Sequence, residues 1–404
     1  MKTKMALSFI FVVLLATAAH GQVAVRGETV YTSAGEPIKD GVVLIRGGKI
    51  ERVGPASQIQ IPSDYRVVTA KVVTPGLIDA RSVVGLAGAL NQPHDQDQLE
   101  TSSAMQPDLR AIDAYNAKEI LVGFLRSMGV TTLHTGHAPG ALISGQTMIV
   151  KTRGETIEQA VFVPAAMIAV TLGNNGLAQG SRSPGTRSKA IAMLRAELIK
   201  AADYQSKWDA AAADKKPTRD LRLEILGRVI KREIPLLVNV HRANDILAAL
   251  RIAKEFNIRI VLDGASEAYL VMDQIKAASV GVIIHPTMAR AGGEAENLSF
   301  ETASTLRRAG IPLAIQSGYE GYVPKTRVVL FEAALAAANG LTFAEALSAI
   351  TIDAARILGI ADRVGSLEAG KDADLAMFDG DPFEYTSHVT GVIIDGQIVS
   401  QEVK

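Results

Sequence analysis

The sequence predicts an α/β protein: a (β/α)8, TIM-like barrel carrying a small composite β-sandwich formed by both ends of the mature chain. Three observations lead there. Residues 23 to 73 read as short strands with hairpin turns, and the last forty residues have the same character. Between them, apolar strands alternate with helices over short links. The chain has 404 residues, 48% of them hydrophobic, enough for one large core and a smaller one.

The first stretch, MKTKMALSFIFVVLLATAAHGQ, has a positive head in Lys2 and Lys4 and an uncharged run from Ala6 to Ala18. Small residues follow at Ala19-His20-Gly21, before Gln22. This is the pattern of a secretory signal peptide over 1–21. The run is shorter than the roughly 20 residues a bilayer span needs. The expectation is an exported protein, periplasmic or extracellular, with no membrane attachment after cleavage. Charge balances at 42 basic and 42 acidic residues, so no nucleic-acid footprint is expected. The chain has no cysteine, which removes disulfides and thiolate chemistry.

Segments 22–75 and 362–404 are expected to form the composite sandwich, and 76–361 the barrel. "GVVLIRGGKIERVG" places Gly47-Gly48 at a hairpin turn, and Asp395-Gly396 marks a second one. Four strand–helix units follow one another: strands at 234–241, 258–263, 280–285 and 311–318, each with a helix behind it. Short links and continuous apolar strands argue for parallel strands covered on both faces. "GVTTLHTG" (129–136) and "VFVPAAMIAV" (161–170) look like earlier members. A doubly wound open sheet is the alternative that the same pattern allows. Residues 186–233 are strongly helical, longer than one crossover, and read as an insertion broken at "ADKKPT". Trp208 within it reads as packing.

The β-rich start, "TPGLIDA" (74–80), the barrel rhythm and the tail "TIDAARILGIADRVGSLEAGKDADLAMFDGDP" (351–382) together resemble the amidohydrolase superfamily, closest to its imidazolonepropionase-like branch. The resemblance implies a hydrolase of C–N bonds in amides, cyclic amides or peptide-like substrates. It also implies one or two divalent ions, zinc among them, that polarise the carbonyl and acidify a bound water. The ligands implied are His-x-His on the first strand, a lysine or glutamate on the fourth, histidines on the fifth and sixth, and an aspartate on the eighth.

At the matching positions this sequence departs. Arg81 and Val83 stand where His-x-His is implied, and neither can bind zinc. The fourth-strand position is apolar, near Ala169. Asn239 and His241 share a parity on the fifth strand. Gly264 follows Asp263 at the sixth-strand histidine position. Ser317 and Gly318 end the eighth strand, with no carboxylate before Glu320. The usual binuclear site is therefore expected to be lost. Candidate catalytic groups are His137, His241, Asp263, Glu320 and Arg81. His134, His137 and His241 are candidates for a mononuclear metal site of unfamiliar layout, with Asp263 beside them. His285 ends another strand. His94, Asp95 and Asp97 lie on a polar loop that reads as exposed, or as a lid. Arg81 is expected to point to the barrel axis and to supply part of the lost positive charge, paired with Asp263 or Glu320. Two functions stay open: an exported amide hydrolase with an altered site, and a catalytically silent barrel that binds a small or peptide-like ligand or partners an active paralogue.

Overall fold

A computed structural model describes residues 21–90, 92–177, 183–319 and 328–401. The expected leader, Gly21 apart, and the candidate Glu320 lie outside these residues.

The chain enters through β1 (Val23–Val30), β2 (Ile38–Arg46), β3 (Lys49–Pro55) and β4 (Arg66–Pro75). The β2–β3 turn is Gly47-Gly48, with φ of +59° and +80°, a conformation that glycine adopts without strain. Next come β5 (Leu77–Ser82), α1 (Ile120–Ser127), β6 (Val130–Gly136), β7 (Ile143–Lys151), α2 (Ile157–Ala160) and β8 (Val161–Thr171). The helical insertion is a pair, α3 (Arg187–Ala210) and α4 (Leu221–Ile230), capped by the side chains of Thr186 and Asp220. Trp208 packs on Tyr204 within it.

The strand–helix run then proceeds as β9 (Leu236–Val240), α5 (Ala243–Phe256), β10 (Ile260–Gly264), α6 (Met272–Ala277), β11 (Gly281–Ile284), α7 (Thr302–Arg308) and β12 (Leu313–Ala314). Helices α8 (Val329–Ala338), α9 (Phe343–Ala349) and α10 (Ile352–Leu358) lead to β13 (Leu375–Phe378), β14 (Val389–Ile394) and β15 (Gln397–Ser400). No helix among the described residues is long and apolar enough to cross a membrane.

Strands β5 to β12 form one eight-stranded sheet in chain order. The expected eight parallel βα units are corrected here. β7 runs antiparallel to both β6 and β8. The reason lies in the link: residues 137–142 join β6 to β7, too short for a helical crossover, so the chain must turn back. The five strands from β8 to β12 are parallel. The sheet nearly closes on itself, with Ala80 N–H donating to Ile315 O at 3.4 Å and Gly318 N–H to Arg81 O at 3.3 Å. Asp79 reinforces this seam. It accepts from the Ser317 N–H at 3.1 Å, from the Ser317 hydroxyl and from the Arg81 N–H at 3.2 Å.

Inside, one apolar layer takes a residue from seven strands: Ile78, Ile149, Met167, Leu237, Val261, Ile283 and Ala314. Ala354, Ala355 and Leu358 of α10 pack against it. The chain's two ends share one seven-stranded sheet, ordered β15-β14-β13-β4-β1-β2-β3, rather than two separately bonded ones. The join is β4 to β13, with Pro75 opposite Leu375. A buried ionic cluster fastens this sheet to the barrel: Lys151 at the end of β7 pairs with Asp372 at 2.8 Å, Asp374 at 3.1 Å and Asp395.

Candidate functional site

Side chains alternate along a strand, so the position two residues beyond each apolar-layer residue also faces the barrel axis. On β8 to β10 and after β12 these positions are Ala169, Asn239, Asp263 and Gln316. Opposite them, His134 of β6 lies level with Ile149, and Thr147 follows on β7. The barrel therefore changes from apolar to polar toward the ends of its parallel strands, where the connecting loops form the mouth.

Arg81 is fully buried in this polar layer. Its guanidinium donates to Ser82 O at 3.2 Å and to His137 O, and its Nε lies 3.8 Å from an Asp263 carboxylate oxygen. Asp263 also accepts from Gln316 Nε2 at 2.7 Å and from Asn239 Nδ2 at 3.1 Å. Gln316 Nε2 reaches Ile284 O at 2.9 Å, and Asn239 Nδ2 reaches the Tyr319 hydroxyl at 3.3 Å. One carboxylate is thus hydrogen-bonded by two carboxamides from separate strand ends and faces one guanidinium beyond hydrogen-bond distance. Burial lowers the pKa of Arg81, while Asp263, Tyr319 and Asp79 oppose that shift. Arginine nonetheless keeps its charge at accessible pH.

The histidine candidates separate by their partners. His134 bonds Ala80 O through Nδ1 at 2.8 Å and the Thr147 hydroxyl through Nε2 at 2.7 Å. A carbonyl only accepts, so Nδ1 carries the proton and Nε2 takes the Thr147 hydrogen. Neither nitrogen is left for a metal. Burial, helped by Arg81, holds its pKa down to about 3, so it is neutral. His137 is also buried, held down to about 4 by burial and then by Arg81. Its two ring nitrogens have no hydrogen-bond partner among the described residues. His241 accepts or donates through Nδ1 to the Ser266 hydroxyl at 2.8 Å, and burial lowers its pKa. His285 is tied to Pro286 O at 2.9 Å and to Thr302 at 3.3 Å, a strand-end anchor.

Val83 packs with Ala87 and Ala138 in a small apolar cluster, joined by Leu99 and Tyr319. Gln98 O accepts the Ala138 N–H at 2.7 Å, so the 91–100 loop is laid over the mouth at its C-terminal part. Its other half behaves as a surface loop, with His94 and Asp97 exposed. Gln316 and Thr147 of the polar layer and Asp79 of the seam are not singled out by the sequence motifs. Gln316 was signalled by parity with Ala314, and Asp79 by its place in the "GLID" frame.

The donor set does not suit a divalent ion. A guanidinium stands beside Asp263, valine lies in an apolar cluster, and both nitrogens of His134 are engaged. No three His, Cys, Asp or Glu residues are grouped to hold a metal among the described residues.

Comparison with known proteins points in the same direction as the motifs. Residues 316–399 match the model of the Amidohydrolase family. The chain is 25% identical over 370 residues to the imidazolonepropionase of Rhizobium rhizogenes, covering 85% of this chain and 87% of that protein. It is 26% identical over 395 residues to the imidazolonepropionase of Maricaulis maris, covering 90% and 94%. It is 25% identical to amidohydrolase tasK of Hapsidospora irregularis over 88% of this chain, an alignment that spans only 39% of that protein. In structure it is similar to an amidohydrolase from Thermotoga maritima MSB8, with a TM-score of 0.89 and 28% identity over 94% of this chain and 100% of that one. Together these matches support the amidohydrolase superfamily and its imidazolonepropionase-like branch.

Proposed function

We propose that this chain is an exported amidohydrolase-superfamily protein directed at C–N compounds of the amide, cyclic-amide or peptide-like class, with the usual binuclear metal site replaced by an arginine–carboxylate–carboxamide network. In this reading it engages a small or peptide-like ligand without metal-borne hydrolysis, as a binding module or as the partner subunit of an active paralogue. The observation that carries it is the buried Arg81 guanidinium 3.8 Å from Asp263. A cation placed there would face a fixed positive charge across a low-dielectric interior.

The hydrolytic reading keeps one observation in its favour, the close superposition on the Thermotoga maritima amidohydrolase over nearly the whole chain. Two measurements on the purified mature protein separate the readings: elemental analysis, and turnover of a panel of N-acyl amino acids and cyclic imides with and without chelator. The expected result is sub-stoichiometric metal and no chelator-sensitive turnover. Stoichiometric zinc, manganese or iron together with chelator-sensitive hydrolysis overturns the proposal. Export is checked by the N-terminus of the secreted protein, expected at Gln22.

A further inference from the structure

The barrel face opposite the mouth carries a groove of about 860 Å³, within the size range of small-molecule sites. It lies where β9 and β10 begin and where α5 and α6 end. Its walls include Leu247 and Leu250 of α5, Val280 ahead of β11, and Ile357 of α10. Its rim holds Arg232, Arg251, Lys254 and Arg259. Of the 18 residues that line it, four are cationic and none is acidic.

The cations are not consumed elsewhere. Arg232 donates to Asn257 through its backbone and side-chain oxygens, at 2.7 and 2.9 Å, and Arg259 donates to Glu233 O at 2.6 Å. These partners are neutral oxygens. No carboxylate forms an ion pair with any of the four among the described residues. The acids next in sequence to Arg232 and Lys254 are occupied: Glu233 pairs with Arg228 at 3.0 Å, and Glu255 with Arg195 at 2.7 Å. The neighbouring groove beside Arg187 differs, because Asp245 neutralises that arginine at 3.0 Å.

An apolar floor under an uncompensated cationic rim is complementary to one chemistry, an anionic head on an apolar tail. We infer that this groove binds a small amphiphilic carboxylate, its tail along Leu247, Leu250, Val280 and Ile357 and its head between Arg251 and Arg259. The tail is held by burial of apolar surface. The head is held by charge-assisted hydrogen bonds, for which arginine's planar fork is suited. The inference stands apart from the reading of the mouth, since none of these residues touches the Arg81 network.

The probe is octanoate, titrated calorimetrically into the whole mature protein below its micelle concentration, with 1-octanol and butyrate as controls. Octanoate is expected to bind one to one. Octanol, lacking the charge, and butyrate, lacking the tail, are each expected to bind at least tenfold more weakly. The double variant Arg251→Glu/Arg259→Glu should weaken octanoate binding at least tenfold. Ala277→Trp, at an exposed position, should abolish it by filling the groove. Both variants are expected to melt within about two degrees of the parent, since only surface positions change. Absence of saturable octanoate binding overturns the inference. So does octanol binding as well as octanoate, parent-like binding by both variants, or uptake of an acidic peptide with no uptake of octanoate.

Discussion

Replacing Asp79 by asparagine tests the physics of the barrel seam. Asp79 is fully buried, and burial pushes its carboxyl from 3.8 up to about 6, against the bonds from Ser317 and Arg81 that favour the ion. At about 1.4 kcal/mol per pH unit, this displacement makes the ionised form about 3 kcal/mol less favourable in the fold than the neutral form. Asparagine reproduces the neutral form. Its Oδ1 can accept the two N–H groups that now bond one oxygen of Asp79, and its Nδ2 can donate to the Ser317 hydroxyl. The sign follows from linkage. A carboxyl whose folded pKa is raised gives stability that is complete below 3.8 and gone above about 6. Asp79→Asn should therefore be the more stable protein at pH 7.5, by up to about 3 kcal/mol, and equal to the parent near pH 4. With an unfolding entropy of about 0.8 kcal/mol/K for a chain this long, the gain amounts to a Tm about 4 °C higher at pH 7.5. Thermal melts of both proteins from pH 4 to 8 measure it, and only their difference is read, so other titrating groups cancel. Asp79→Ala is the contrast, because it strands two buried N–H groups at every pH, at about 1–3 kcal/mol each. If Asp79→Asn melts below the parent at pH 7.5, or the difference does not vary with pH, the argument is refuted.

Two further perturbations address buried charge. Arg81→Met leaves Asp263 without its cation and should cost about 3–5 kcal/mol, whereas the double variant Arg81→Met/Asp263→Asn should recover about half; urea unfolding of the four proteins gives the coupling. Additive losses would mean that the pair does not act as one. Lys151→Met should cost a similar amount, and Asp374 is the group left exposed to the loss. Asp372 keeps Arg363 at 2.7 Å and Lys49 at 2.5 Å, and Asp395 keeps Arg153 at 2.6 Å. Burial already pushes Asp374 up to about 6, so it can take a proton, and the loss should be smaller at pH 5 than at pH 8. Equal losses at both pH values would argue against that assignment.

The strand–helix run from 234 to 339 was legible because parallel, doubly covered strands are written as continuous apolar runs and their helices as amphipathic ones. β7 was not legible as a barrel strand. Ser144, Gly145, Gln146 and Thr147 give it no apolar run, yet all nine of its residues are buried. Its polar side chains are satisfied by tertiary partners: Thr147 by His134, and Gln146 by Pro107 O at 3.1 Å. The Arg81 position was legible from the frame "GLIDARSV", which fixes which residues stand at the implied ligand positions; strand parity counted from Ile78 points to Ala80 instead, and β5 shifts register between Asp79 and Ser82. The partners were not. Gln316 meets Asp263 across 53 residues of sequence, and Lys151 meets Asp372 across 221. Contacts of that span leave no local trace. The histidines show the same limit from the other side. His134 and His137 are three residues apart, yet one is saturated and the other has no partner among the described residues.

The polar layer is best understood as one coupled set of charges and donors. Among the described residues, Asp263 faces three donors: the guanidinium of Arg81 and the amide nitrogens of Asn239 and Gln316. Val83 lies in the apolar cluster with Leu99 and Tyr319 packed against it. Each of the charged partners is costly without the other. An arginine without Asp263 would be an unpaired buried charge, and Asp263 beside histidines alone would lack a fixed cation. Arg81→His alone would remove the guanidinium that faces Asp263 while supplying one imidazole, too few for a metal site.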